Sequence, residues 1–309
     1  MTRLAVITDL DLGGDAVERS VLEPLGFEVA RFECRNEDDV IACAQGADAL
    51  LVQWAPVTAR VLAHVPSCQV ISRYGIGVDM IDMEAAARHG VAVHNVPDYC
   101  IEEVATHSVA MFLALNRQIV ALDRQVVAGG WAARQVAAPQ RLSEMTVGVV
   151  GLGRIGARVA SVLRGLGCGR VIGFDPVSAP DTVESVALDE LLRDADAVLL
   201  HCPLVPSTRH MLGTDTLARM RPGALIVNVS RGGLIDETAL ADALTSGHIG
   251  GAALDVFSAE PLPTAAALRR APNVIATPHA AWYSDHALPE LQLLAARNVA
   301  RHFFPECSQ

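Results

Sequence analysis

The segment "VGVVGLGRIGARVA" (147–160) constrains this chain more than any other. Apolar residues run into Gly151, Gly153 and Gly156, and helix-forming residues follow at once. A glycine-rich turn of this kind has two readings. It is a tight structural turn, or it is a loop built so that a pyrophosphate can approach the backbone. The surrounding sequence favours the second reading. Strand-type "TVGVV" precedes the turn, helix-type "RIGARVASVLRGLG" follows it, and strand-type "RVIGFD" comes next. That strand ends in Asp175, about 20 residues beyond the turn, where a ribose-binding acid belongs. In such a unit Gly151 makes the turn and Gly153 admits the pyrophosphate to the helix N-terminus. Gly156 lets helix and strand pack closely. The Asp175 carboxylate would accept hydrogen bonds from ribose hydroxyls and repel a 2′-phosphate. No Arg or Lys follows at Pro176 or Val177, so NAD is expected rather than NADP.

Alternation of strand and helix extends along most of the chain. Strands are predicted at 4–8, 27–33, 47–53, 69–72 and 91–96, with helices at 14–25, 37–45, 58–65 and 82–89. This spacing implies a parallel sheet covered on both faces. Residues 100–130 read as one long helical pattern ending at Gly129-Gly130, followed by an arm. A second series of strands is predicted at 146–150, 171–174, 197–202, 224–229, 251–256 and 273–277. A final amphipathic helix is expected over 288–304. The fold class is therefore α/β, with two doubly wound parallel sheets.

Composition excludes several functions. The 309 residues are 51% hydrophobic, ample for a full core, and the formal net charge is −11 with no Lys/Arg stripe. A nucleic-acid groove is not expected on these grounds. No apolar run approaches the ~20 residues of a membrane-spanning helix, so no membrane partner is expected. The start, "MTRLAVITDL", reads as a short strand and not as a signal peptide. The 7 cysteines, Cys34, Cys43, Cys68, Cys100, Cys168, Cys202 and Cys307, are scattered without a C-x-x-C pair. They read as reduced thiols of a cytoplasmic protein, with neither a disulfide framework nor a metal site.

Three later segments each close a predicted strand: "IVNVSRGGLID" (226–236), "ALDVFSAEPLP" (253–263) and "VIATPHAAWYS" (274–284). In doubly wound sheets ligands lie at the C-terminal ends of strands, so Arg231, Glu260 and His279 can converge there. Reduction of a 2-oxo acid needs such a set. A guanidinium grips the carboxylate and polarises the carbonyl. A histidine delivers the proton. A carboxylate orients that histidine and favours its charged form. Each residue also has a plainer reading, as a surface salt bridge, a loop residue before Pro261, and a turn residue after Pro278.

The chain resembles the D-isomer-specific 2-hydroxyacid dehydrogenases over essentially its whole length. The resemblance rests on "RYGIGVDMIDMEAAARHGVAVHNVP" (73–97), "GLGRIGARVA", "NVSRGGLIDETAL", "ALDVFSAEPLP" and "TPHAAWYS", and is strongest to the phosphoglycerate-dehydrogenase-like and C-terminal-binding-protein branch. It implies Arg231, Glu260 and His279 as catalytic residues. It implies a cofactor set of Gly151, Gly153, Arg154, Ile155, Gly156, Asp175, His201, Cys202, Pro203, Thr208, Val229, Ser230, Asp255 and His279. It further implies two Rossmann-like domains, a flavodoxin-like substrate-binding domain over 1–99 with 283–309, and an NAD-binding domain over 100–282. Family members are usually dimers, so a homodimer is expected, joined through the NAD-binding domain and an arm near 117–145 that includes Trp131. A C-terminal regulatory domain like that of longer phosphoglycerate dehydrogenases is not expected.

The expected substrate is a small anion. Trp54, Arg73 and Trp282, with backbone N–H groups of Ile76 and Gly77 and the side chains of Arg231 and His279, are the candidate substrate residues. Arg73 would add a second positive charge. The alternative for Arg73 is pairing with a local acid such as Asp79, and for Trp282 it is packing. Two other functions stay open on the sequence. One is oxidation of another small anion, such as phosphite or a phosphonate-bearing acid. The other is an NAD(H)-sensing, corepressor-like scaffold.

Overall fold

A computed structural model describes residues 2–178 and 180–307; the side chain of Cys307 lies outside the described residues. The chain divides into two compact units, Met1–Cys100 with Tyr283–Gln309, and Ile101–Trp282.

The first unit contains β1 (Arg3–Ile7), α1 (Ala16–Leu22), β2 (Phe27–Arg31), α2 (Glu37–Cys43), β3 (Ala49–Val52), α3 (Ala59–His64), β4 (Val70–Arg73), α4 (Met83–Arg88) and β5 (Ala92–His94). Its five strands are all parallel, in the order β2-β1-β3-β4-β5. Every residue of β3 and β4 is buried, which is why "ALLV" and "VISR" show no polar alternation. The helices begin where the sequence supplies a cap. Asn36, Thr58 and Asp82 each accept a hydrogen bond from the backbone N–H three residues on.

The C-terminal helix (Ala287–Phe303) returns to this unit. Ser72 Oγ donates to the Ala295 carbonyl at 2.8 Å. Gln292 Nε2 donates to the Gly14 carbonyl at 2.8 Å and to both oxygens of Glu18 at 3.1 and 3.2 Å. Tyr74 Oη donates to Glu18 Oε1 at 2.9 Å. Glu18 is fully buried. Burial raises its pKa, and the Glu18 backbone, Tyr74 and Gln292 hydrogen bonds only partly oppose that rise.

The second unit opens with α5 (Ile101–Asn116) and α6 (Ile119–Val127). It continues with β6 (Thr146–Val150), α7 (Arg154–Gly165), β7 (Arg170–Phe174), β8 (Glu184–Ser185), α8 (Leu188–Asp194) and β9 (Ala197–Leu200). It closes with α9 (Thr214–Arg219), β10 (Ala224–Asn228), α10 (Glu237–Thr245), β11 (Ile249–Leu254) and β12 (Val274–Ala276). Seven parallel strands lie in the order β12-β11-β10-β9-β6-β7-β8. The order reverses at β6, which pairs with β7 on one side and β9 on the other. A crevice outside the carboxyl ends of β6 and β9 follows from that reversal.

Two features depart from the sequence reading. The pattern over 100–130 is two helices, broken at Gln118, whose φ is 56°. Gln118 turns both its backbone N–H and its side-chain Nε2 onto the Leu115 carbonyl, each at 3.1 Å, and so closes α5 without glycine or proline. Strand β8 is two exposed residues, too short to produce any alternation.

Removing the phenol in a Tyr74→Phe variant should destabilise the first unit by about 1–3 kcal/mol, the usual effect of stripping a donor from a buried acceptor. The loss should be larger near pH 8 than near pH 5, where the buried carboxyl, its pKa already raised, is more readily protonated. Urea unfolding at the two pH values measures both.

Candidate active site

The glycine turn lies where β6 and β9 end side by side. Gly151 has φ +92°, and a Cβ there would stand 2.6 Å from the Cys202 nitrogen and the His201 carbonyl. At Gly156 a Cβ would overlap the Gly151 carbonyl oxygen, so the first turn of α7 presses directly on the loop. Nothing lies within 4 Å of a Cβ position at Gly153. That residue is the N-cap of α7, and no side chain caps the helix there. Arg154, exposed, and Ile155, half-buried, begin the helix. An open helix N-terminus beside an uncluttered glycine suits a phosphate.

Asp175 is fixed at the end of β7. Its Oδ2 accepts the Leu152 N–H at 2.7 Å, and its Oδ1 accepts those of Val177 and Ser178 at 2.8 and 2.9 Å. Partial burial opposes the charge. The backbone donors of Ser178, Val177 and Leu152 outweigh it and hold the carboxyl below its usual range. The arrangement fits a dinucleotide: a pyrophosphate on Gly153–Ile155 and a ribose against Asp175.

The ends of β9 and β10 form the opposite wall. His201 Nε2 is 3.2 Å from Ser108 Oγ, and burial pushes the ring's pKa down to about 4, so the ring is neutral near pH 7. Burial likewise pushes the Cys202 thiol up to about 11. Thr208 Oγ1 donates to the Pro203 carbonyl at 2.7 Å and accepts the Val205 N–H at 2.9 Å, shaping the loop. Val229 is buried, and Ser230 Oγ donates to the Leu200 carbonyl at 2.8 Å, tying β10 to β9.

Farther along the same sheet edge, His279 Nδ1 donates to Glu260 Oε2 at 2.7 Å. Glu260 Oε1 accepts the Phe257 N–H at 2.9 Å. Burial would raise the Glu260 pKa. The hydrogen bond and charge of His279, the Phe257 N–H and the charge of Arg231 together hold it below the ordinary carboxylate value. Arg231 is brought there by the glycine after it. A Cβ on Gly232 would overlap the Phe257 backbone, so the Arg231–Gly233 segment lies directly on the chain that follows β11. Asn228 Nδ2 donates to the Arg231 carbonyl at 2.8 Å, and Arg231 Nη1 donates to the Ser230 carbonyl at 2.7 Å. Of the three residues expected to act together, His279 and Glu260 are in contact, and Arg231 lies near enough for its charge to act on Glu260.

Asp255 has a role that its place at a strand end does not reveal. It is fully buried. Its Oδ1 accepts from Thr277 Oγ1 at 2.5 Å and Ala280 N–H at 2.9 Å, and Oδ2 accepts the Ala281 N–H at 2.9 Å. Its carbonyl accepts the His279 N–H at 2.8 Å. His279 has φ +53°, a left-handed conformation worth about 1–3 kcal/mol of strain in a non-glycine residue. The bonds to Asp255 hold that turn in place.

The remaining candidates divide between the units. Trp282, half-buried, belongs to the unit of His279. Trp54, Arg73, Ile76 and Gly77 belong to the first. There Arg73 is buried, with its guanidinium carbon 5.4 Å from the centre of the Trp54 ring. Asn95 Nδ2 donates to the Ile76 carbonyl at 2.6 Å. The sequence reading missed Asp9, whose buried carboxylate accepts the N–H groups of Gln53, Trp54 and Ala55 at 3.1, 2.5 and 3.1 Å. An aspartate after a strand carries no signal of that task.

Residues 109–281 match the family model described as the D-isomer specific 2-hydroxyacid dehydrogenase, NAD binding domain. The chain is 40% identical over 273 residues to D-3-phosphoglycerate dehydrogenase of Mycobacterium tuberculosis, covering 86% of this chain and 51% of that protein. It thus spans about half the length of that curated relative. It is 36% identical over 252 residues to glyoxylate reductase of Korarchaeum cryptofilum, covering 79% of this chain and 76% of that protein. The structure of D-lactate dehydrogenase from Aquifex aeolicus, complexed with NAD and lactic acid, superposes with a TM-score of 0.87 at 26% identity, covering 98% of this chain and 96% of that one.

The fixed charge of Asp175 yields a direct test. Asp175→Ala should raise the ratio of kcat/KM with NADPH to that with NADH by about tenfold or more, since like-charge juxtaposition costs several kcal/mol. Steady-state kinetics with both cofactors measure it, and a wild type that prefers NADPH contradicts the assignment.

Proposed function

The chain belongs to the D-isomer specific 2-hydroxyacid dehydrogenase family, and from that premise we propose that it interconverts a small D-2-hydroxy acid and its 2-oxo acid. The observation that carries this reading is the 2.7 Å contact of His279 with Glu260, with Arg231 close enough to stabilise the Glu260 charge. All three stand in the unit that bears the dinucleotide cradle.

When bound, NADH supplies the hydride that reduces the carbonyl carbon. Gly151, Gly153, Arg154, Ile155 and Gly156 hold its pyrophosphate, and Asp175 its ribose. The segments His201–Pro203, Thr208 and Val229–Ser230 line the rest of the cofactor site. Arg231 binds the substrate carboxylate with its planar guanidinium and draws electron density from the carbonyl. His279 gives a proton from Nε2 to the carbonyl oxygen while Nδ1–H stays on Glu260. Glu260, held charged, keeps the ring oriented by accepting from Nδ1–H. In the oxidative direction the same Nε2 takes the hydroxyl proton. Trp282, in the same unit as His279, contributes to substrate selection.

The protein works as a homodimer joined through its NAD-binding unit. Ile119, Val126, Val127 and Trp131, on α6 and the segment after it, are 54, 50, 81 and 89% exposed, an apolar surface that suits a partner.

NADH consumption followed with glyoxylate, pyruvate, hydroxypyruvate and 3-phosphohydroxypyruvate tests the reaction class. His279→Ala should cut kcat by about 10²–10⁴, the usual contribution of a positioned acid, with NADH binding unchanged. Glu260→Gln should lower kcat with NADH binding unchanged, because the charged acceptor that orients the His279 ring is gone. Wild-type kcat in this variant removes Glu260 from the mechanism.

A further inference from the structure

Helix α5 carries a side chain that none of these roles uses. His107 Nε2 lies 3.2 Å from Thr277 Oγ1 and 3.7 Å from Asp255 Oδ1. The Thr277 hydroxyl hydrogen is committed to Asp255 at 2.5 Å, so the hydroxyl oxygen accepts from His107 Nε2–H. The two contacts form a relay. It runs from His107 through the Thr277 hydroxyl to Asp255 Oδ1, the oxygen that also accepts the Ala280 N–H. The other oxygen takes the Ala281 N–H, and the Asp255 carbonyl takes the N–H of His279 itself.

The relay therefore ends on the turn that presents the proposed proton donor. Asp255 is fully buried, and His107 reaches it from α5. A buried carboxylate with two oxygens can rotate unless its acceptor positions are filled from fixed directions. Thr277 fills one from β12's end, and His107 fixes the Thr277 hydroxyl from α5. Met111, one helical turn beyond His107, also faces that hydroxyl, with Sδ 3.9 Å from Oγ1. The whole arrangement lies within one unit, and it braces a backbone conformation, φ +53° at His279, that the residue does not favour by itself.

We infer that His107 and Thr277 are positioning residues: they orient the Asp255 carboxylate, which folds residues 277–281 so that the His279 ring stays on Glu260 in the geometry needed for proton transfer. The inference rests on the reading of His279 as the proton donor. Neither residue touches the reacting atoms in this account.

The test uses the full chain with NADH and whichever of the four 2-oxo acids above the wild type turns over fastest. His107→Leu and Thr277→Val remove the relay at similar volume, whereas His107→Gln and Thr277→Ser keep an N–H and a hydroxyl. His107→Leu and Thr277→Val should lower kcat by about 10–100-fold, the scale of a slightly misplaced catalytic group. NADH affinity, read by fluorescence, should stay unchanged, and the Gln and Ser variants should recover most of the turnover. Wild-type turnover in the Leu and Val variants overturns the inference. So does a loss that appears in NADH affinity, or one that Gln and Ser do not repair. If His107→Leu does not fold, the Thr277 pair decides alone. A His279→Ala variant with normal turnover overturns the reading of His279 itself. Normal turnover in His107→Leu beside an inactive His279→Ala overturns only the relay.

Discussion

Four hydrogen bonds converge on one residue at the end of β11. The Asp255 carboxylate gathers the Thr277 hydroxyl and the N–H groups of Ala280 and Ala281, and its carbonyl gathers the N–H of His279. An unpaired carboxylate buried this deeply would be costly, so the turn and the charge stabilise each other. The consequence is geometric. Strands β11 and β12 are in parallel register, Leu254 beside Ala276, so the chains leaving them start as neighbours. Asp255 then bends the second back over the first, and Glu260, reached a few residues later on the first, meets His279.

The same sheet edge separates two kinds of charge. Toward β7, the Asp175 carboxylate is fixed by three backbone donors and stays anionic. Toward β12, His279 is paired with Glu260, and the charge of Arg231 acts on the same carboxylate. Between them lies the reversal of strand order at β6. A parallel sheet places every one of these side chains at its carboxyl edge, which is why residues far apart in sequence serve one site.

Much of this was legible in the sequence. Gly151, Gly153, Gly156 and Asp175 announce themselves by spacing, and Arg231, Glu260 and His279 by following strand-type runs. What remained hidden depends on contacts that carry no local pattern. The break at Gln118 is made by a glutamine folding onto the Leu115 carbonyl, and no propensity scale marks glutamine as a helix stop. The resemblance marks Asp255 only as a cofactor residue; the folded chain shows its carboxylate wrapped by its own turn. His107 sits 170 residues from Thr277, within an ordinary helical stretch. Asp9 is the counterpart in the first unit, its task defined by N–H groups of a loop on another strand.

In the proposed reaction the 2-oxo acid is held in one orientation while it takes a hydride from NADH and a proton from His279. The product's configuration tests that most directly. Chiral chromatography of the hydroxy acid formed from pyruvate or hydroxypyruvate and NADH should show the D isomer alone. The L isomer, a racemic product, or NADH consumption with no hydroxy acid formed would contradict it.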